Sequence, residues 1–389
     1  MYVTRSLSMY KKFPSRLSLP PPEGPNSGIL VIQDEKAEET CWFGLFKTHQ
    51  VTNLPFPQNK NHVLQYSHYF FDAYFIPVLN QPLSSNRYYV IQQDGRRKGH
   101  AYANSKKEDI RSCHGNTVID DVKPKPLDPN NIYQQFKIQK LEGSFLPFQG
   151  NFVGKSLTPD GIPPMLLKRK GWGVNTSTPH DFNLVDDAQG LDTALRACLP
   201  EFNVPLSSKS SQPIIVGKWY SPFMFISEET LLLKDQVSIS MYYKVTLEQN
   251  WEQIFACENN ENQGNVVFVD EFLPRKVVLV GGREVVDVKV DNGVMWFKSY
   301  NNEGIAISAG LSLLVFERMK WEQGRVGWVN EENDKQVNVK REEKFGGMGR
   351  WRKFGCYMLV ERFVVKRMDQ SLVLSYQFNH INQIRCKWE

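Results

Sequence analysis

The segment from Gly150 to Ser156, with the sequence Gly-Asn-Phe-Val-Gly-Lys-Ser, has the residue types of a phosphate-binding loop. That loop needs four residues between its glycines, and this segment has three. It also needs a helix directly after the Lys-Ser pair, whose amides face the phosphates. Pro159, Pro163 and Pro164 follow instead and oppose such a helix. The spacing therefore predicts that nucleotides do not bind here.

Histidine and cysteine side chains could supply nucleophiles, bases or metal ligands. The seven histidines form no His-Glu-x-x-His motif, and the chain contains no Gly-x-Ser-x-Gly nucleophile elbow. The six cysteines are widely spaced and form no Cys-x-x-Cys pair, which disfavours zinc and favours reduced, free thiols. We therefore predict no catalytic residue, no cofactor and no metal.

Positive charge is concentrated near the C-terminus. From residue 335 to residue 389 there are 12 Lys and Arg against 5 Asp and Glu, a local charge of +7. Lys344, Arg350, Arg352 and Lys353 flank a glycine-rich turn at residues 346–349. Backbone amides and four cations could hold an anion or a lipid headgroup. Solvated cations on a flexible hairpin loop are the alternative.

The whole chain has an ordinary globular composition. It contains 389 residues, 41% of them hydrophobic, with a net charge of +5. This charge is too mild for a dedicated nucleic-acid binder, so we expect no specific nucleic-acid binding. No run of about 18 apolar residues predicts a transmembrane segment, and the N-terminus lacks the apolar core of a signal peptide. We expect a soluble protein in the cytoplasm rather than in an organelle.

Hydrophobic periodicity predicts mostly strands. Residues 354–365 are apolar on both faces, and residues 372–379 alternate, with Ser375, Gln377 and Asn379 expected to face solvent. Asp-Asn-Gly at 291–293 predicts a second hairpin turn. The best helices are predicted at 191–199 and 305–323. The fold class is thus α+β and β-rich, with two mostly antiparallel β modules and few short helices.

Composition along the chain divides it into four parts. Residues 1–23 are expected to form an N-terminal arm that leads to three prolines. Residues 24–205 form a first β-rich module with a flexible, polar loop at about 94–131. Residues 206–212 are a polar linker, and residues 213–389 form a second β-rich module that ends in the C-terminal hairpin.

Several long motifs resemble a plant protein family catalogued as domain of unknown function 1262 (DUF1262). The resemblance is carried by residues 19–35 and 81–91, by Asp160-Gly161-Ile162-Pro163-Pro164, and by residues 216–220 and 354–361. It runs essentially along the whole chain. Because that family has no assigned activity, the resemblance implies no catalytic residues, cofactor or partner.

Three functions remain open at this stage. The first, which we favour, is a non-enzymatic interaction or binding module for a protein partner or an anionic membrane surface. The second is an enzyme whose site is assembled from distant residues. The third is an aromatic-lined protein that binds sugars or other ligands, suggested by seven tryptophans after residue 213. A deep pocket with convergent titratable groups would favour the enzyme, and a flat basic or aromatic face would favour binding.

Overall fold

A computed structural model describes residues 1–21, 24–41, 46–106, 108, 110–113, 116–142, 151–179, 184, 187–259, 264–328 and 336–389. Strands predominate and the helices are few and short, so the predicted β-rich, mostly antiparallel fold class is confirmed. The helices are α1 (Leu7–Lys12), α2 (Met165–Lys168), α3 (Thr193–Cys198), α4 (Leu233–Ile239) and α5 (Leu313–Gly324).

The strands are β1 (Tyr2–Ser6), β2 (Gly28–Ile32), β3 (Thr40–Cys41), β4 (Phe46–Lys47), β5 (Gln50–Val51), β6 (Asn61–Tyr66), β7 (Tyr69–Pro77), β8 (Arg87–Gln92), β9 (Ile110–Cys113), β10 (Asn116–Ile119), β11 (Gln135–Lys140), β12 (Phe152–Ser156), β13 (Gly173–Ser177), β14 (Gly190–Leu191), β15 (Ile214–Pro222), β16 (Ile226–Glu228), β17 (Tyr242–Glu258), β18 (Val266–Pro274), β19 (Lys276–Val280), β20 (Arg283–Glu284), β21 (Asp287–Asp291), β22 (Val294–Tyr300), β23 (Ala306–Ser312), β24 (Gln336–Lys344), β25 (Lys353–Arg367) and β26 (Leu372–Trp388). Two compact units share them, and the chain passes between the units just before β14, inside β15 and inside β17.

The first unit comprises Met1–Gln189 and Tyr220–Tyr243. Its main sheet has the strand order β12-β11-β8-β7-β6-β13-β5. One face carries an aromatic core in which Phe56 contacts Phe75, Tyr88 and Phe152. Such rings bury large apolar areas and prefer the edge-to-face and offset arrangements seen here, so this core holds the sheet together.

Within the predicted arm at 1–23, the described residues 1–21 contribute structure to the first unit. Strand β1 pairs in parallel with β2, and Tyr2 also pairs with Tyr220. The Tyr2 side chain is fully buried, and its hydroxyl donates a hydrogen bond to the carbonyl of Pro77 at 2.7 Å. The apolar start of the chain is therefore part of a core, because burial of Tyr2 outweighs the local signals of the basic, proline-terminated segment.

The polar stretch at about 94–131, predicted as a flexible loop, contains the antiparallel pair β9 and β10, and other parts of it are packed. Ala101 is fully buried and exchanges two backbone hydrogen bonds with Lys125, at 2.7 and 3.0 Å. Ser105 is likewise buried and bonds through its backbone to Ile162. The Ala101–Lys125 contact closes the stretch on itself, and the Ser105–Ile162 contact joins it to the rest of the first unit, while its flexibility stays a prediction.

The second unit comprises Gly190–Trp219 and Lys244–Glu389. Its principal sheet contains β14, β15, β17, β25, β26, β19 and β20 in that order. Strands β21, β22 and β23 form an antiparallel meander, and β18 pairs with β24 in a two-stranded ribbon. The turn at 291–293 is a hairpin turn as predicted, with left-handed φ values of 47° at Asn292 and 75° at Gly293.

The predicted C-terminal hairpin is present as β25 and β26, and it reaches Trp388. The expectation that Ser375, Gln377 and Asn379 face solvent is wrong, because all three are buried. Polar side chains are tolerated inside when they are hydrogen-bonded. Gln377 accepts from Arg362 at 3.2 Å, and Asn379 donates to the carbonyl of Pro274 at 2.7 Å.

One predicted helix is confirmed and the other is half wrong. Helix α3 lies within 191–199, and the Asp192 carboxylate caps it by accepting from the amide of Leu195 at 2.9 Å. In the segment 305–323, residues 306–312 form β23 and only Leu313 onward is helical. Ser312 is the N-cap of α5, so this capping residue within 305–323 marks where the helix begins.

The predicted linker at 206–212 lies in the second unit. The carbonyl of Lys209 accepts a hydrogen bond from the amide of Gln253 at 2.7 Å, and the amide of Ser211 donates to the carbonyl of Trp251 at 2.9 Å. The polar segment thus runs along β17. The division of the chain into modules at this segment stays a prediction.

Candidate functional site

An ion pair between α3 and β25 lies at the centre of the second unit. Arg196 points inward from α3 and Glu361 lies in the middle of β25, and both are buried. The Arg196 Nε donates to Glu361 Oε1 at 2.8 Å, and its Nη2 donates to Oε2. This is the bidentate arrangement that suits a planar guanidinium and a carboxylate.

Two further charges on α5 complete what we call the Arg196 cluster, namely Arg196, Arg318, Glu322 and Glu361. The Glu322 carboxylate lies 3.2 Å from Arg196 Nη1 and 2.8 Å from Arg318 Nη1. Arg318 and Glu322 are both 0% exposed. Two positive and two negative charges give the cluster no net charge, which is the condition under which buried ions are tolerated.

Two glutamines complete the hydrogen bonding of Glu361. Gln249 Nε2 donates to Glu361 Oε1 at 2.7 Å, and Gln323 Nε2 donates to Oε2 at 2.6 Å. Burial alone would raise the pKa of Glu361, but hydrogen bonding to Arg196 and its positive charge outweigh burial, so the pKa is lowered. Glu361 is therefore an ionised carboxylate with four hydrogen-bond donors around it.

The same contacts fix the tautomer of His380. Since Glu361 can only accept, Gln323 must turn its amide nitrogen toward the carboxylate and its oxygen toward His380 Nε2, 3.0 Å away. Nε2 then carries the proton and Nδ1 keeps a lone pair. Burial lowers the pKa of His380 and outweighs the opposing charge of Glu361, while Arg196 adds to the lowering, so the neutral ring is favoured at pH 7.

A cavity of about 350 Å³ opens beside the cluster, entirely within the second unit. Aliphatic side chains supply much of its wall, and Arg196, Gln249, Glu361 and His380 supply its deep polar part. Its lining comprises Leu191, Thr193, Arg196, Ala197, Leu199, Gln249, Arg325, Val326, Leu359, Glu361, His380 and Gln383. This size falls at the lower end of small-ligand pockets.

One buried acceptor in the cavity wall lacks a partner among the described residues. Gln249 uses its amide nitrogen for Glu361 and for the carbonyl of Arg196, which leaves its Oε1 without a hydrogen bond. Gln249 is only 1% exposed. An unpaired buried polar atom costs free energy, so a bound donor at this position would be stabilising.

The chemistry available in the cavity is recognition more than bond breaking. Glu361 is saturated with donors, and four of the five N–H groups of Arg196 are committed to Glu322 and Glu361, so neither side chain is free to act as an acid or a base. Gln249 Oε1 and His380 Nδ1 are acceptors. The cavity therefore suits a molecule that brings its own O–H or N–H groups.

The structure places the predicted basic residues away from this cavity. Lys344, Arg350, Arg352 and Lys353 are all exposed. Lys344 pairs with Glu342 at 3.1 Å, and Lys353 pairs with Glu258 at 3.2 Å. Two of the four cations thus have an acidic neighbour, as solvated surface charges often do.

The suspected phosphate-binding segment is occupied by a strand. Residues 152–156 form β12, which pairs with β11, while Gly150 lies outside the described residues. Among the described residues, no group of three or more His, Cys, Asp and Glu could hold a metal ion. No helix in the described part of the chain has both the length and the apolar character needed to cross a membrane.

The tryptophans are mostly core residues, which disfavours an exposed aromatic row. Trp219, Trp251 and Trp351 are each at most 1% exposed. Trp321 is partly exposed, but it lies between the guanidinium groups of Arg318 and Arg325, at 4.6 and 4.8 Å from its ring centre. The walls of the cavity are aliphatic and polar.

No local sequence motif marks Arg196, Gln249, Gln323 or His380 as site residues. The available signal was Glu361, a charge in a strand otherwise apolar on both faces. Such a residue implies a buried partner.

Comparison with known proteins gives a match of part of the chain to a family of unknown function and a weak similarity to one solved structure. The profile described as "Protein of unknown function (DUF1262)" matches residues 23–114, which supports the resemblance noted in the sequence. No curated protein is significantly similar to the chain. Among solved structures, the chain is similar to the one titled "Crystal structure of Cry35Ab1", with 10% identity, a TM-score of 0.42, and coverage of 86% of this chain and 90% of that one.

Proposed function

We propose that this protein is a non-enzymatic binding module whose cavity in the second unit holds a small, neutral, polyhydroxylated molecule. The observation that carries the proposal is Gln249, a residue that lines the cavity and whose buried Oε1 has no partner among the described residues. Arg196 and Arg325 disfavour a cation there, and Glu361 disfavours an anion. A neutral ligand with several hydroxyl donors satisfies all of these conditions.

Occlusion of the cavity tests this proposal directly. Val326 is a partly exposed wall residue, so Val326→Trp should fill the entrance without disturbing the core. We expect myo-inositol or glucose to give saturable heat in calorimetric titration of the wild type, and none with Val326→Trp. The matched control is Val288→Trp on the exposed strand β21, which should bind as the wild type does.

Two results would contradict the proposal. If neither myo-inositol nor glucose binds to the wild type, polyhydroxylated molecules are ruled out as the ligand class. Catalytic turnover of a probe that is lost in His380→Gln would show that the neutral imidazole acts as a base, and would make the protein an enzyme.

A second candidate function is attraction to an anionic surface. The observation that favours it is Met348, whose side chain is fully exposed at the tip of the loop between Lys344 and Arg350. An apolar tip flanked by cations suits a membrane interface, where each cation near anionic lipid contributes about 1 kcal/mol. The acidic neighbours of Lys344 and Lys353 reduce this attraction, and salt screens it.

Sedimentation with phosphatidylserine vesicles at low salt tests this second candidate. We expect the wild type to sediment, and a variant with alanine at Lys344, Arg350, Arg352 and Lys353 to stay in solution. A control with the same loss of charge carries alanine at four exposed lysines of the first unit: Lys137, Lys140, Lys168 and Lys170. Equal sedimentation of the two quadruple variants would rule out a specific basic surface.

We further propose that the protein acts in the cytoplasm of a plant cell. The family resemblance supports the plant origin, and the wide cysteine spacing supports a reducing compartment. Recovery of an epitope-tagged chain in the cytosolic fraction of plant cells is the test, and recovery in chloroplasts or in the secretory pathway would contradict it.

A further inference from the structure

Two thiols face each other across the C-terminal hairpin. Cys356 of β25 and Cys386 of β26 are directly paired in the antiparallel register, and their sulfur atoms lie 3.5 Å apart. Both are free cysteines. The sequence gives no hint of this pair, because 29 residues separate the two positions (357–385).

The hydrogen-bond pattern of the hairpin shows which kind of pair this is. Lys353 and Glu389 exchange both backbone hydrogen bonds, at 3.0 and 2.9 Å, so they form a hydrogen-bonded pair. Pairs alternate along an antiparallel ladder, and the register from Phe354 to Met358 has no bulge. Cys356 and Cys386, three positions further on, therefore form a non-hydrogen-bonded pair. In such pairs the Cα atoms are about 4.5 Å apart, within the span that a disulfide accepts.

The surroundings of the two cysteines leave one sulfur accessible to solvent and stabilise the thiolate of the other. Cys356 is buried in an apolar cluster with Val267, Val269 and Trp351, while Cys386 is half-exposed at its margin. The hydrogen bond from Cys386 lowers the pKa of Cys356, and the positive charge of Arg341 on β24 acts in the same direction. The first proton is thus lost from the pair more readily than from an isolated thiol, and the thiolate is the reactive form.

We propose that Cys356 and Cys386 form an oxidation site that hydrogen peroxide converts reversibly to a cross-strand disulfide. One thiolate of the pair attacks peroxide, forms a sulfenic acid and releases hydroxide. The second sulfur then attacks the sulfenic sulfur, forms the S–S bond and releases a second hydroxide. The two thiol protons convert these hydroxides to water, so two thiols are oxidised and one peroxide is reduced to two waters. A small dithiol reverses the reaction by exchange.

Peptide mapping after mild oxidation tests the proposal. The intact protein is treated with stoichiometric hydrogen peroxide, alkylated, digested and analysed by mass spectrometry. We expect one cross-linked peptide pair joining Cys356 to Cys386, lighter by two hydrogens than the reduced peptides, and its loss after dithiothreitol. Cys386→Ser is the preferred variant because this residue is half-exposed, and it should abolish the cross-link while the protein stays folded.

A control variant separates the proposed pair from its neighbourhood. Cys257 packs against the same apolar cluster and could compete as a partner. Cys257→Ser should leave the cross-link unchanged. Full alkylation of both Cys356 and Cys386 after peroxide treatment, or a cross-link from either residue to Cys257 in place of the proposed one, would overturn the proposal.

Discussion

At the residue scale, one charged residue in an apolar strand indicates a buried partner but not where that partner lies. Glu361 interrupts a strand that is apolar on both faces, and an ionised carboxylate is not buried without a partner. The partner Arg196 lies 165 positions earlier on a short helix. Nothing local to Arg196 distinguishes it from the other cations, because its role depends on long-range strand order.

The Arg196–Glu361 pair gives the first prediction. Arg196→Met keeps an unbranched side chain but leaves Glu361 with an uncompensated buried charge, so we expect a loss of about 3–5 kcal/mol in the free energy of unfolding. Urea unfolding measures it. Arg325→Met is the control, because Arg325 is exposed and its pair with Glu322, at 3.4 Å, should contribute less than about 1 kcal/mol. The double variant Arg196→Met/Glu361→Leu should recover stability, because it removes the uncompensated charge. Equal losses for Arg196→Met and Arg325→Met would contradict the assignment of Arg196 as the buried partner of Glu361.

His62 gives a prediction about pH. Burial in the aromatic core of the first unit lowers its pKa from the ordinary 6.5 to about 3. The unfolded chain therefore binds a proton between these values that the folded chain does not. Burial of neutral His62 therefore contributes fully to the free energy of unfolding above pH 6.5. This contribution is lost as the pH falls toward 3, by up to about 1.4 kcal/mol per pH unit.

A variant isolates the contribution of His62 from other titrating groups, including His380, whose pKa is also lowered. We expect the free energy of unfolding of His62→Leu to fall less steeply than that of the wild type between pH 6.5 and pH 5. Urea unfolding at several pH values gives both slopes. Identical slopes would show that His62 is protonated in the folded protein.

At the element scale, local periodicity predicts where the hairpins are but not which side of each strand is buried. The turns at 291–293 and 368–371 have residues that suit tight turns, so the strands around them could be predicted. The burial of Gln377 could not, because it depends on Arg362 and Glu252 from neighbouring strands. Strand β23 was predicted as helix because its apolar residues also fit a helical stripe, and pairing with β22 decides the outcome.

The C-terminal hairpin gives the element-scale prediction. Leu374 is fully buried and lies between Val280 of β19 and Val365 of β25. Leu374→Asp places a carboxylate there, at a cost of several kcal/mol against a total stability of about 5–15 kcal/mol. We expect insoluble or protease-sensitive protein, and the same result for truncation after Asp369.

The matched control is Leu232→Asp, because Leu232 is exposed and precedes the first turn of α4, where an acidic cap is favourable. This variant should express and melt as the wild type does. A folded, monomeric truncated chain with the wild-type melting temperature would show that the hairpin is peripheral to the second unit.

At the scale of the whole molecule, composition and periodicity predicted the class of fold but not how the chain is distributed between its units. Each unit combines sequence from both sides of residues 206–212. In the first unit the Tyr242 hydroxyl donates to the carbonyl of Gln58 at 3.2 Å. In the second, the Trp251 indole donates to the carbonyl of Pro200 at 2.9 Å. Such pairings are non-local, and single-sequence patterns do not encode them.

This distribution predicts that a chain cut in the segment 206–212 stays assembled. A protease site inserted between Ser207 and Ser208 gives two fragments, each of which supplies part of both units. The N-terminal fragment contributes Arg196 to the buried pair with Glu361, and Val204 and Leu206 to a core cluster with Trp251. After cleavage we expect one peak on gel filtration at the mass of the uncut protein, and separation only in denaturant. Fragments that separate in native buffer would show instead that the segment divides two independent halves.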